Sequence, residues 1–314
     1  MRAVRFCGVL PGLLAAVCLL LIMGPASAQA ETINHDGRER SYLLDVPAGL
    51  TGPAPVIFVL HGGGGSGQRT RRMTGLHEAG AEHGFVTVYP QGVANHWNDA
   101  RRSAVVIEKQ GMGGADDVGF LRAVAARLVA DGIADPARIH ALGLSNGGMM
   151  TFRLACEAAD VFAAFVPVIA NLPENAEPDC QPSRPLSMMV MNGTADRLIH
   201  WEGGRVAGMF PGDRGRTLGT HRTMEVFGAL NGCDEVRRVT PVDIGFDPVV
   251  SLDLHRFTGC RDGADLRLYA FSGMGHRWPG AYPLSERAEA LMGPAPRNFP
   301  MNREVWSFLK DKHL

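Results

Sequence analysis

Ser145, Asp196 and His276 have the types, the chain order and the local surroundings that nucleophilic acyl chemistry requires. Ser145 lies in Gly143-Leu144-Ser145-Asn146-Gly147, after the apolar run "ARIHALGL" and before the helix-like run "NGGMMTFRLACEAA". A serine there adds nothing to a core, and the glycines weaken both neighbouring elements, so the turn itself is what these residues serve. G-x-S-x-G between a strand and a helix makes a nucleophile elbow. The tight turn strains the serine backbone, the glycines let strand and helix close on each other, and the hydroxyl stands out over a helix N-terminus. The pattern fixes only three residues, so its weight comes from the strand and helix expected on either side.

A serine hydroxyl is a weak nucleophile without a base. In a fold with this elbow the acid and the histidine follow the serine, on loops after later strands. The run "LSMMVMN" is followed by "GTAD", which places Asp196 at a strand end, and "LRLYAFSG" is followed by "MGHRWPG", which places His276 at another. The competing residues have plainer uses. His61 reads as a turn residue and His140 as core, His200 and His221 fall in a loop-like region, and Asp99 precedes the serine. Asp116 and Asp117 read as helix caps.

An acyl-transfer site also needs donors for the developing oxyanion. The stretch "LHGGGGSG" (60–67) follows the buried run "VIFVL" and is expected to supply the backbone N–H of Gly63, with Asn146 supplying the second. No Lys-Ser/Thr follows the glycines, as a phosphate-binding loop would need. A dinucleotide site would need an acidic residue after the next strand, which instead ends "VYPQG". Nothing calls for a cofactor, and the cysteine spacings do not suit a metal. Trp97 and Trp278 are expected at the same sheet edge, where they would stack on the substrate; packing against their own loops is the alternative.

These side chains need a scaffold that brings several strand ends together. The runs at 41–47, 55–63, 85–90, 137–145, 162–170, 186–196 and 264–273 read as strands. Helical patterns lie between them. One is "DDVGFLRAVAARLVADG", with an apolar face through Phe120, Leu121, Val124, Leu128 and Val129, and with Gly132 at its stop. Alternating strands and helices predict an α/β fold, a mainly parallel sheet with helices on both faces, as one domain over 31–314. Residues 197–225 and 278–300 read as loops.

The 314 residues are 46% hydrophobic and 20% charged, with formal net charge −1, so no basic excess is available to hold nucleic acid. The N-terminus has the pattern of an export signal over residues 1–30: Arg2 and Arg5, an apolar run from Cys7 to Met23 broken by Pro11, and small-residue cleavage sites at Ala26-Ser27-Ala28 or Ala28-Gln29-Ala30. The expectation is a secreted or periplasmic protein with no membrane anchor after cleavage. Cys7 and Cys18 would leave with the signal. Cys156, Cys180, Cys233 and Cys260 would remain, and in an exported chain they suggest two disulfides. Three pairings are possible. The sequence-local one, Cys156–Cys180 with Cys233–Cys260, is the expectation, and buried free thiols are the alternative.

Taken together, "HGGGGSG", "YPQGVANHWN", "DDVGF", "GLSNGGMM", "NGTAD" and "GHRWPG", in that order over most of residues 55–280, resemble the secreted polyhydroxybutyrate depolymerase and feruloyl esterase group of α/β-hydrolases. The resemblance implies an ester-cleaving enzyme with Ser145, Asp196 and His276 as its triad. Relatives often carry cysteines between the "WN" and "DDVGF" motifs, and this chain has none there. The expected substrate is a short or polar ester: a hydroxyalkanoate oligomer, or a feruloyl or acetyl sugar ester. The segment 200–223, rich in glycine and arginine, suits a polar rim better than a lipase lid. An acyltransferase on the same triad and a non-catalytic binding protein on the same fold are the alternatives.

Overall fold

Strands that are apolar at every position need cover on both faces, and that need organises this molecule. The computed structural model describes residues 28–104, 107–108, 114–208, 212–239, 251–280 and 285–314. Residues 1–27 of the expected signal segment therefore lie outside the described residues. In chain order the elements are β1 (Gln29–His35), β2 (Arg38–Asp45), β3 (Ala54–Leu60), α1 (Gly67–Thr74), α2 (Leu76–His83), β4 (Val86–Pro90), α3 (Asp117–Ala130), β5 (Ala134–Leu144), α4 (Asn146–Glu157), β6 (Ala164–Val168), β7 (Ser187–Gly193), β8 (Gly204–Arg205), β9 (Arg216–Thr217), α5 (Thr220–Asn231), β10 (Glu235–Val239), β11 (Ser251–Thr258), β12 (Leu266–Ser272), α6 (Glu286–Met292) and α7 (Met301–Leu309).

Ten strands form one sheet in the order β1-β2-β4-β3-β5-β6-β7-β12-β11-β10. From β4 to β12 the pairs are parallel, and the two margins, β1-β2 and β11-β10, are antiparallel. Every residue of β3 is buried. Its side chains divide with the two-residue strand period. Val56, Phe58 and Leu60 enter one core layer with Phe120, Leu121 and Val124 of α3 and Met149, Met150 and Phe152 of α4. Ile57 and Val59 enter the other, with Leu76 of α2 and Val305 and Phe308 of α7.

The interior strands match the sequence expectation to within a few residues. The margins do not. β1, β10, β11, α6 and α7 were not expected. Helix α5 also begins inside the stretch 197–225, and α6 lies within 278–300, both of which read as loops. The predicted stop of α3 is present, with Asp131 as C-cap and Gly132 in the left-handed region at φ +71°. Asp116 caps this helix by accepting the Gly119 N–H. Asp117 departs from its expected capping role. It is fully buried, forms an ion pair with Arg40 at 2.6 Å and accepts the Asn98 N–H at 2.7 Å, so it anchors the loop after β4.

Disulfides join Cys156 to Cys180 and Cys233 to Cys260, with Cα separations of 4.7 and 3.8 Å. This is the sequence-local pairing. The first bond ties the last turn of α4 to the segment before β7. The second ties the start of β10 to the turn after β11.

Candidate active site

The carboxyl ends of β3, β5, β7 and β12 face one edge of the sheet, where parallel α/β folds place their sites. Ser145 follows β5 directly, with φ 55° and ψ −121°, a strained conformation for a residue with a side chain. Its flanking glycines show why the turn closes. A Cβ on Gly143 would overlap the Gly147 carbonyl oxygen and Thr151 Oγ1, and a Cβ on Gly147 would overlap the carbonyl oxygens of Leu60 and His61. The Ser145 N–H donates to the Val168 carbonyl at 3.0 Å and its carbonyl accepts the Met149 N–H, so α4 begins immediately after the serine.

Asp196 and His276 come to Ser145 from loops after β7 and β12. His276 Nε2 lies 2.9 Å from Ser145 Oγ, and His276 Nδ1 lies 2.7 Å from Asp196 Oδ2. The second Asp196 oxygen accepts the N–H groups of Leu198 and Ile199 at 2.8 and 2.9 Å. Asp196 and His276 are both buried. The carboxylate is therefore fixed by three donors, and the Nδ1–H it accepts leaves the Nε2 lone pair for the serine hydroxyl. The His276 N–H donates to the Met292 carbonyl at 2.6 Å, so the last residue of α6 holds the histidine loop.

The two expected oxyanion donors also meet here. A Cβ built on Gly63 would lie 3.5 Å from the Asn146 Cβ. Asn146 is the first residue of α4, where backbone N–H groups have no intrahelical acceptor. Its side chain is turned away and locked. Oδ1 accepts the Trp97 N–H at 2.8 Å, and Nδ2 donates to the Trp97 carbonyl at 3.0 Å and to Asp99 Oδ2 at 2.5 Å. Asp99 is in turn held by Arg101, whose Nε and Nη2 lie 2.9 and 2.8 Å from its carboxylate.

Both tryptophans depart from their expected place. Trp97 is fully buried, with its ring centroid 4.9 Å from that of His61 and its indole N–H donating to the His61 carbonyl at 2.9 Å. It is the pin between the glycine-rich loop and the loop after β4. Trp278 is also buried. It joins the core layer of Phe271 and Phe299 and borders a different cavity, beside Arg72 and Asn302. Neither lines the cavity above Ser145. Large amphipathic rings serve the interior when the backbone offers the N–H a carbonyl, as His61 does for Trp97.

His61 and His140 keep their plain roles. His61 Nδ1 donates to the Gly62 carbonyl and Nε2 accepts the Gly92 N–H at 2.9 Å; burial lowers its pKa to about 4. His140 is buried in β5, and burial, helped by the Arg138 charge, lowers its pKa to about 3. Both are neutral at physiological pH. The residues that sequence reasoning missed are Asp99 and Arg101. Chain order excludes Asp99 as triad acid. Its use is to hold the residue after the serine, and the available signal was the Asn at that position.

A strand–serine–helix elbow with a histidine and a carboxylate behind it defines an α/β-hydrolase. The comparisons agree. A model of the prolyl oligopeptidase family matches residues 79–172, the stretch that holds the elbow. The chain is 31% identical over 265 residues to "Putative esterase NocK" of Nocardia uniformis subsp. tsuyamanensis, covering 81% of this chain and 75% of that one. It is 25% identical over 242 residues to feruloyl esterase B of Piromyces equi, covering 76% of this chain and only 42% of that enzyme. To poly(3-hydroxyalkanoate) depolymerase C of Paucimonas lemoignei it is 25% identical over 289 residues, covering 85% and 66%. In fold it is similar to the acetyl xylan esterase from Aspergillus awamori, with TM-score 0.56 and 16% identity over 85% of this chain and 99% of that one. The chain belongs to the polyhydroxybutyrate depolymerase and feruloyl esterase group of α/β-hydrolases, and it is a serine esterase. Among the described residues no helix is long and apolar enough to cross a membrane.

Proposed function

We propose that this chain is an exported esterase that cleaves short or polar carboxylic esters through an acyl-enzyme on Ser145, with His276 as base and Asp196 as its orienting acid. The observation that carries the proposal is the hydrogen-bond chain from Ser145 Oγ to His276 Nε2 and from His276 Nδ1 to Asp196. His276 takes the serine proton as Oγ attacks the ester carbonyl. The negative charge moves to the carbonyl oxygen, where the N–H groups of Gly63 and Asn146 stand as donors. Collapse breaks the bond to the alkoxy oxygen, and His276 Nε2–H protonates the departing alcohol. Water, deprotonated by the same imidazole, then releases the acid and restores Ser145.

Hydroxyalkanoate oligomers and feruloyl or acetyl sugar esters are the substrate classes, in keeping with the names of the relatives. The cavity over Ser145, about 260 Å3, is bordered by Arg101 and Arg214 as well as by apolar side chains, a lining that suits a polar ester better than a lipid tail. The segment from β8 to β9 forms a two-stranded ribbon beside it, with no amphipathic lid helix among its described residues. Export is supported by the two disulfides and the N-terminal pattern. The test is a fluorophosphonate label mapped by mass spectrometry, together with kcat/KM for 4-nitrophenyl esters of increasing acyl length. Labelling of Ser145 and a fall beyond butyrate are expected. Labelling elsewhere, or a maximum at decanoate, would overturn the proposal.

A further inference from the structure

The walls of the cavity over Ser145 are of two kinds. Leu198, Ile199 and Val206 give it apolar lining, while Arg101 and Arg214 also border it, the Arg214 guanidinium lying beside Gly208, another lining residue. Among the described residues that line it there is no carboxylate. Ester cleavage asks for no side-chain cation: backbone N–H groups meet the oxyanion, and an imidazole moves the proton. A guanidinium at this place has a different natural partner, the planar carboxylate, which it meets through two parallel N–H groups.

The two arginines have different tasks. Arg101 is buried and its charge is taken up by Asp99, while its Nη1 donates to the Arg214 carbonyl at 3.0 Å. It buttresses the segment that carries Arg214. That segment is closed by the Val206 N–H donating to the Gly215 carbonyl at 2.9 Å and by the β8–β9 pairing of Arg205 with Arg216. Gly208 supplies the space in which the Arg214 side chain lies, since a Cβ there would overlap Arg214 Nε. Gly215, at φ +76°, lets the ribbon close on Arg101, whose Cβ and carbonyl oxygen would both be 2.9 Å from an added Cβ. The partly exposed Arg214 thus borders the same cavity as Ser145, with Arg101 bonded to its carbonyl and Gly208 beside its guanidinium.

We propose that this cavity selects esters that carry a free carboxylate, and that Arg214 is the residue that pairs with it. The proposal rests on the assignment of Ser145 as nucleophile, and it narrows the substrate class. Hydroxyacid oligomers end in a carboxylate; neutral acetyl sugars and fatty esters do not carry one.

The test uses matched acid and primary-amide substrates, which differ in charge and hardly in shape. One pair, a 3-hydroxybutyrate dimer and its terminal amide, carries the group on the departing alcohol. The other, 4-nitrophenyl hemiglutarate and 4-nitrophenyl 4-carbamoylbutanoate, carries it on the acyl part. The readout is the acid-to-amide ratio of kcat/KM within each enzyme. The full-length wild type should prefer the acid by about tenfold or more in at least one pair, the scale of one charge-assisted hydrogen bond. The pair that shows the preference identifies the side of the ester that is read. The ratio should fall towards one in Arg214→Gln, recover in part in Arg214→Lys, and shrink as salt rises from about 0.05 to about 0.5 M. If Arg214→Gln does not fold, Gly208→Ala makes the same test, because it displaces the guanidinium while keeping its charge. A wild-type ratio near or below one in both pairs overturns the proposal, as does a preference that survives in Arg214→Gln or, where that variant does not fold, in Gly208→Ala. Turnover of 4-nitrophenyl acetate with phosphonate labelling of Ser145 separates that failure from failure of the esterase assignment itself.

Discussion

At the scale of single residues, the proposed base is set by which nitrogen of His276 carries the proton. Asp196 settles this because all three of its described donors point at a full carboxylate: Leu198 N–H and Ile199 N–H at Oδ1, and His276 Nδ1 at Oδ2. In Asp196→Asn the amide oxygen must turn to the two backbone N–H groups, because an NH2 there would face two donors. The NH2 then faces Nδ1 and forces the other tautomer, with Nε2–H aimed at the serine. Turnover should drop by about four orders of magnitude, the loss seen when a triad acid is so replaced. The melting temperature should stay within a few degrees, since the amide still fills the site. A variant that keeps a tenth of wild-type kcat on a short ester would show that the Asp196 contact does not set the tautomer. The triad candidates were legible because each stands just beyond an apolar strand with a glycine nearby. Trp97 was not, because the same loop position serves a ring that stacks outward or one that pins inward. The choice between them is made by a carbonyl, that of His61, which belongs to another loop, the one after β3.

At the scale of elements, the elbow works only if β3, β5 and α4 approach to backbone contact. Gly147 is where they meet, with the Leu60 and His61 carbonyl oxygens in the space of its missing Cβ. Neither oxygen is the end of a flexible side chain, so Gly147→Ala cannot be absorbed by a rotamer change. It should cost about 1 to 3 kcal/mol in urea unfolding, the range for overpacking a filled interior. It should also lower kcat, because the Asn146 N–H moves with the helix. An alanine variant as stable and as active as the wild type would contradict this packing. The disulfide at the far end of α4 is the second restraint on it. Cys156 and Cys180 are 24 residues apart, so losing the bond in the double Cys→Ser variant should cost about 3 kcal/mol on the chain-entropy estimate. The elements that position the site were legible because "VIFVL", "FAAFVPV" and "LSMMV" are continuous apolar runs, which in a chain of this pattern are interior parallel strands. The margins were not. β1 is "QAETINH" and has no buried residue, and β10 is "EVRRV". Such strands are held by pairing with a neighbour, a property of the sheet that their own composition does not announce.

At the scale of the whole molecule, two neutral imidazoles sit in the interior, and both make the fold sensitive to acid. His140 has pKa about 3 and His61 about 4 in the folded chain, each lowered chiefly by burial. Both return to about 6.5 when the chain unfolds. The folded-state values lie below the unfolded one, so the unfolded chain binds protons first as pH falls. Stability is therefore full above about pH 6.5 and is lost progressively as pH falls towards the folded-state values. At pH 5 each histidine should have removed about 2 kcal/mol, from 1.36 kcal/mol per pH unit over about 1.5 units. Acid loss of this kind is shared with Asp265, but at lower pH: this carboxylate is partly buried and its pKa is held below the usual range by Arg267 and Lys312 despite the opposing effect of burial. The loss from Asp265 thus lies below the window between pH 6.5 and 5, in which His61 and His140 act together with His77, whose pKa burial also lowers. Substitution separates His61 from His140. His61 bridges two loops through Gly62 and Gly92, so its loss would also loosen the site. Among the described residues neither ring nitrogen of His140 has a hydrogen-bond partner, so His140→Leu removes the titration without breaking a described hydrogen bond. Urea unfolding of wild type and His140→Leu at pH 7.5 and pH 5 should show the variant losing about 2 kcal/mol less over that interval. Equal losses in the two proteins would mean that His140 does not take up its proton on unfolding in this range, and that the acid sensitivity arises elsewhere in the fold.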